Sequence, residues 1–124
     1  MTILVIDDER DIQRLFEQRF RKERRNGTVD LHFAFSAKEA LGFLKAEKAK
    51  DLQIILSDIN MPQMSGLELL KVVRQQHPLL RIYMITAFDD KQNKQKAFDF
   101  GATDYLTKPI NFDSLKKLIF NGEE

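Results

Sequence analysis

Two adjacent carboxylates, Asp7 and Asp8, close an apolar run in "LVIDDER" (4–10), and a third, Asp58, closes another in "IILSD" (54–58). Two further apolar runs are followed by Thr86-Ala87 and by Thr107-Lys108-Pro109. Carboxylates at the mouth of a buried strand repel each other, and burial adds to the cost, so their pKa values rise unless opposite charge joins them. One ammonium group, that of Lys108, does not balance three carboxylates, whereas a divalent cation does. An oxygen-only donor set favours a hard ion, Mg²⁺ or its relative Mn²⁺. Such an ion holds a phosphoryl group against a carboxylate, and an aspartate can attack phosphorus to form an acyl phosphate. That transfer is mostly positioning and charge neutralisation, which a metal, a lysine and a hydroxyl donor supply together. Taken singly, these residues have ordinary readings: an acidic pair suits a helix N-terminus, Asp58 suits a loop, and Lys108 suits a surface. Only their joint placement carries the chemistry.

That placement requires strands and helices in a particular order. The runs at 2–6, 53–56 and 82–85 are nearly continuous in apolar character, as in strands covered on both faces, and 104–106 is a shorter one. Residues 29–35, "VDLHFAF", alternate instead, with Val29, Leu31, Phe33 and Phe35 on one face, which predicts an edge strand. Helical spacing joins Ile12, Leu15, Phe16 and Phe20, with Asn26-Gly27 as a stop. "SAKE" (36–39) and "SGLE" (65–68) match the capping box and open the next two helices, the second ending before Pro78. In 89–100 only Ala97, Phe98 and Phe100 are apolar, which predicts a helix held weakly to the core and stopped at Gly101. A last helix follows Asn111, and Asn121-Gly122 reads as its stop or as the start of a linker. Strict β-α alternation, five times over, implies a parallel sheet with five helices on its two faces. Ligands of such α/β sheets bind beyond the carboxyl ends of the strands, where the chemistry-bearing residues fall.

The 124 residues suit one domain, 1–124, and 43% hydrophobic with 31% charged residues is a globular composition. There is no cysteine, which excludes disulfide and thiolate chemistry. With no apolar run of membrane-spanning length and no leader-like start, a cytoplasmic protein without membrane contact is expected. A net charge of +1 gives no global attraction to nucleic acid, and the basic run "RFRKERR" (19–25) reads as a solvated helix end. His32 and His77 lack partners at metal-ligand spacing and read as structural or solvated. Met61 and Met64 read as loop packing.

With Asp7-Asp8, "SDINMPQMSG" (57–66), "ITA" (85–87) and "GATDYLTKPI" (101–110) in order at the strand ends, the sequence resembles a response-regulator receiver domain of two-component signalling over essentially its whole length. The resemblance implies a flavodoxin-like fold with strand order 2-1-3-4-5, an order for which receiver domains are themselves the standard illustration. It implies that Asp58 is the phosphoacceptor. Asp8 and Asp58 would bind Mg²⁺ directly with the backbone carbonyl of Asn60, and Asp7 would act through a metal-bound water. Thr86 would give its hydroxyl and Ala87 its backbone N–H to the phosphoryl oxygens, and Lys108 would pair with the phosphoryl group. The Lys108–Pro109 bond would be cis, and Tyr105 would be the aromatic switch residue that turns inward with Thr86. Asn60 and Phe88 stand where residues influence phosphoryl lifetime.

The resemblance further implies a sensor histidine kinase or histidine phosphotransfer protein as donor, and a downstream effector domain or protein. The fourth helix, fifth strand and last helix would form the output surface, which would also support a homodimer. The chain would be a signalling phosphoacceptor rather than a turnover enzyme. Two other readings stay open at this point. An Mg²⁺-dependent phosphohydrolase with an aspartyl-phosphate intermediate would want a second acid for the leaving group, where residue 60 is Asn. A pseudo-receiver interaction module would not need all five key side chains.

Overall fold

The runs that are nearly continuous in apolar character become strands whose two faces are both covered. The computed structural model of the chain describes residues 1–87 and 89–121. Its strands are β1 (Thr2–Ile6), β2 (Asp30–Ala34), β3 (Leu52–Asp58), β4 (Arg81–Thr86) and β5 (Asp104–Thr107). They form one sheet in the order β2-β1-β3-β4-β5, and every pairing is parallel. The helices are α1 (Asp11–Arg19), α2 (Arg21–Arg25), α3 (Ala37–Leu44), α4 (Gly66–Gln76), α5 (Lys91–Asp99) and α6 (Phe112–Asn121), with a 3₁₀ turn at Glu47–Asp51. Phe88 and Gly122, on which two expectations fell, lie outside the described residues.

Alternate residues of each central strand feed two cores. On one face Ile3, Val5, Ile54, Leu56, Tyr83 and Ile85 pack with Phe16 and Phe20 and with Phe112, Leu115 and Ile119 of α6. On the other, Leu4, Ile6, Ile55, Ile82 and Met84 pack with the apolar stripes of α3 and α4 and with Ala97 of α5. β2 is at the edge as its alternation predicts, with Leu31 and Phe33 on the Phe16 side and Ala34 on the other. His32 is structural: its Nε2 lies 2.9 Å from Asp30 Oδ2 and its ring packs on Phe43.

Among the described residues six helices stand where five were expected, because the first is interrupted at Phe20, whose φ of −105° and ψ of 19° leave helical geometry. Phe20 is fully buried, stacked 6.0 Å from Phe16 and edge-on to Phe112. The break keeps that ring in the core while α2, "RKERR", buries no residue.

Both capping predictions are met at the hydroxyl. Ser36 Oγ accepts from Glu39 N–H at 3.0 Å and Ser65 Oγ from Glu68 N–H at 3.2 Å. The return half differs: Glu39 accepts from the N–H of Phe35, one residue before the cap, and Glu68 accepts from the Ser65 hydroxyl.

α5 is as thinly attached as its composition implies, with Ala97 its one buried residue. Asp90 caps its start, and Gly101, at a φ of +99° that suits glycine, ends its last turn. There Arg74 of α4 intervenes. Its guanidinium donates to the carbonyls of Gly101 (2.9 Å), His77 (3.0 Å), Pro78 (3.1 Å) and Leu80 (2.7 Å). One side chain thus joins the end of α4, the loop into β4 and the end of α5.

Candidate functional site

β1 and β3 are adjacent, with Ile6 paired to Ser57, so the residues that follow, Asp7 and Asp58, stand side by side at the carboxyl edge of the sheet. Asp7 continues the ladder by donating its N–H to Ala34 O at 3.1 Å, and its Oδ1 accepts from Glu9 N–H at 2.9 Å. Asp7 and Asp58 are 2% and 3% exposed, while Asp8 is exposed at the mouth. Carboxylate oxygens of all three lie within 4.8 Å of one another.

β4 and β5 bring the remaining groups. Asp58 pairs with Ile85, which sets the next residue, Thr86, fully buried beside the carboxylates. Lys108 N–H donates to Thr86 O at 2.9 Å, holding the segment after β5 to the end of β4. From there its side chain, 40% exposed, reaches Asp58, with Nζ 3.2 Å from Oδ2. The Lys108–Pro109 peptide is cis, as expected. Asn60, exposed, and Ala87, half-buried, flank the cluster.

The electrostatics follow from this crowding. Burial pushes the Asp7 carboxyl above its usual 3.8, with Asp58 adding to the rise and the Glu9 N–H opposing it. Burial likewise raises Asp58, against the pull of Lys108. Burial draws Lys108 down, but Asp58, Asp7 and Glu9 together outweigh it and raise it. The site carries more negative charge than its one lysine neutralises.

Two buried side-chain polar atoms among the described residues have no hydrogen-bond partner in the protein: Asp58 Oδ1 and Thr86 Oγ1. Buried polar atoms are nearly always paired, so a pair of orphans on two residues of one cluster marks a place built for something else. The donors are all oxygen. His32 belongs to the edge strand and His77 to the end of α4, so a hard divalent ion fits this set.

The expected residues therefore divide. Asp7, Asp8, Asp58 and Lys108 converge, and Thr86 is buried at the same edge of the sheet, one residue past the Asp58–Ile85 pairing. Tyr105 does not: it pairs with Met84 in the sheet and its half-buried ring faces α5, edge-on to Phe98 at 5.4 Å with Lys94 Nζ 5.3 Å from its centroid. Three contributors had no role assigned from sequence. Glu9 fixes Asp7 through its backbone N–H. Ser57, buried, donates its hydroxyl to Asp58 O at 3.1 Å. Gly66 lets the loop after β3 return, since a Cβ there would lie 2.0 Å from Asp58 O. Its "SG" signal read only as a helix start, and nothing local in sequence announces a contact eight residues back.

A family model described as the response regulator receiver domain matches residues 3–120. The DNA-binding transcriptional regulator NtrC of Proteus hauseri is 36% identical over 117 residues, and the response regulator protein PilR of Pseudomonas aeruginosa is 34% identical over 116. Each match covers 94% of this chain but only 23% and 24% of those proteins, so the chain spans about a quarter of their length. An uncharacterized 14.6 kDa protein of Leptolyngbya boryana is 37% identical over 121 residues, covering 96% of this chain and 87% of that one. Among solved structures, a receiver domain protein from Clostridium thermocellum superposes with a TM-score of 0.85 at 28% identity, over 97% of this chain and 91% of that one. The chemotaxis protein CheY4 of Vibrio cholerae does so at 0.81 and 29%, over 97% and 96%.

Proposed function

The chain belongs to the response regulator receiver domain family of two-component systems, and from that premise we propose that it is a single receiver domain, residues 1–124, that accepts a phosphoryl group on Asp58. The observation that carries this reading is the pair of orphaned atoms, Asp58 Oδ1 and Thr86 Oγ1, buried together beside a carboxylate cluster. Asp58 Oδ1 is the attacking oxygen. It forms an O–P bond as the P–N bond of a donor phosphohistidine breaks and the imidazole leaves. Lys108 holds the other oxygen of Asp58 and pairs with the arriving phosphoryl group. The Thr86 hydroxyl donates to one phosphoryl oxygen and the Ala87 backbone N–H to another. Asp8, Asp58 and the Asn60 carbonyl would hold Mg²⁺ directly, and Asp7 would do so through a water. The chemistry such an ion would supply is neutralisation of the negative charge that gathers as phosphate meets carboxylate.

The readout is a shift between two pre-existing conformations. Thr86, drawn toward the phosphoryl group, leaves room for Tyr105, and Tyr105 is packed on α5 through Phe98. The surface formed by α5, β5 and α6 is then the output face, meeting an effector or a second copy of the chain. The donor is a histidine kinase or phosphotransfer protein, and the setting is cytoplasmic. Among the described residues no helix is long and apolar enough to cross a membrane.

Incubation with acetyl phosphate and Mg²⁺, read by intact mass, tests the reading. One phosphoryl adduct is expected, lost in Asp58→Asn and without metal. An unmodified mass would overturn it, as would sustained multiple turnovers of a small phosphate ester.

A further inference from the structure

On the far side of the phosphoacceptor loop from Lys108, α3 and the segment Pro62–Met64 enclose an open groove of about 480 Å³. Half-buried Leu41 and Met64 give it an apolar floor, with Pro62 on the loop side. Lys38 of α3 and Lys45, the residue that caps the end of α3, lie seven residues apart, are both exposed and flank it. Between them sits Gly42.

Among the described residues nothing requires a glycine at position 42. It lies inside a helix, its φ is not positive, and a Cβ built on it would meet nothing within 4 Å. Glycine in a helix interior costs stability relative to alanine. Elsewhere the fold explains its glycines: Gly66 by contact with Asp58 O and Gly101 by its φ of +99°. What the absent side chain at 42 does is leave the groove wall open, so that another backbone can come close. Helices approach one another as nearly as the side chains between them allow.

The charges say what kind of backbone. Neither Lys38 nor Lys45 has an ion-pair partner among the described residues. The acids around them are engaged elsewhere, Glu39 on the Phe35 N–H and Glu47 on Lys50. An apolar floor between two uncompensated lysines is complementary to an apolar row flanked by carboxylates.

We propose that the α3 groove centred on Gly42 docks an acidic amphipathic helix of a partner protein, whose apolar side chains meet Leu41 and Met64 and whose carboxylates meet Lys38 and Lys45. The face is distinct from the α5, β5 and α6 surface, and the inference goes beyond the phosphoacceptor reading without depending on it.

A random 16-residue peptide display library panned on the whole chain tests this. Selected sequences should pair Leu, Ile or Phe with Asp or Glu. A synthetic peptide from that set should shift the amide resonances of Leu41, Gly42, Lys45 and Met64. Its affinity should fall at least tenfold in Gly42→Leu and in the double variant Lys38→Glu, Lys45→Glu, with the far-ultraviolet circular dichroism of both variants unchanged. The proposal is overturned if the selected peptides shift resonances elsewhere, or bind both variants as tightly as the parent. Concentration-dependent dimerisation of the chain through these same residues would overturn it too, by making a second copy the occupant. Because phosphorylation of Asp58 is read separately by mass, failure here leaves the phosphoacceptor reading standing, and the reverse holds.

Discussion

Lys108 Nζ lies 3.2 Å from Asp58 Oδ2, while the other oxygen of the same carboxylate is buried without a protein partner. The lysine therefore fixes the orientation of Asp58 while leaving its Oδ1 unengaged. It also leaves the neighbouring carboxylate, Asp7, largely uncompensated, and this sets the first prediction.

A carboxyl raised above 3.8 in the folded chain holds its proton more tightly folded than unfolded. Its contribution to stability is complete below 3.8 and is lost as pH rises through the folded value. At pH 7 ionised Asp7 thus weighs against the fold. Asp7→Asn should be more stable than the parent in metal-free buffer at pH 7, by on the order of 1 kcal/mol. Urea denaturation across pH should show the gain shrinking toward zero below 3.8. Added MgCl₂ should stabilise the parent more than the variant, narrowing the gap. A gap that is independent of pH would contradict this account.

Gly66→Ala should be severely destabilising, because its Cβ would fall 2.0 Å from the Asp58 carbonyl oxygen. Backbone on both sides of that contact cannot yield as a side-chain tip can. A loss of about 2–3 kcal/mol is expected from overpacking. Phosphoryl uptake should drop as well, since relieving the clash displaces Asp58. Normal uptake in a destabilised Gly66→Ala would show that the close approach serves the fold alone.

Amide hydrogen exchange should rank α5 among the least protected helices, since it buries only Ala97. Arg74→Met removes donors to four carbonyls, including that of Gly101. About 2–3 kcal/mol should be lost, with exchange at Ala102, whose N–H bonds to Ala97 O, rising more than exchange in β1. Uniformly faster exchange would argue against a local anchor.

The Glu23–Lys116 pair should be felt only above acid pH. Burial alone would raise Glu23, but backbone hydrogen bonding and Lys116, 3.1 Å away, outweigh it and hold Glu23 below its usual 4.5. A depressed carboxyl contributes stability that is present above 4.5 and is lost as pH falls through the folded value. Glu23→Gln should therefore cost about 0.5 kcal/mol at pH 7. In thermal melts the parent and variant should converge at lower pH, and no convergence would contradict the assignment.

The sheet was legible because β1, β3 and β4 are nearly continuous in apolar character, as strands covered on both faces are. The edge position of β2 was legible because Leu31 and Phe33 alternate with Asp30 and His32. The carboxylate cluster followed from strand ends, once adjacency of β1 and β3 was granted. The break at Phe20 was not legible, because its helical spacing from Phe16 is intact and the interruption comes from burying that ring against Phe112, far along the chain. Nor was the reach of Arg74, whose four acceptors are backbone carbonyls with no side-chain signature. Gly66 looked like part of a cap because the atom it avoids belongs to another element.

The attachment of α5 has a mechanical consequence. Anchored at Gly101 and Ala97, with Phe98 and Lys94 resting on the Tyr105 ring and Asp90 capping its start, the helix has the form of a lever with its fulcrum at the C-terminal end. Nine residues give an arm of roughly 13 Å at 1.5 Å per residue. A tilt of about 10° at the fulcrum then carries the Asp90 end roughly 2 Å. On the proposed reading, such gearing would turn a small displacement passed from Thr86 through Tyr105 and Phe98 into one large enough for another protein to detect.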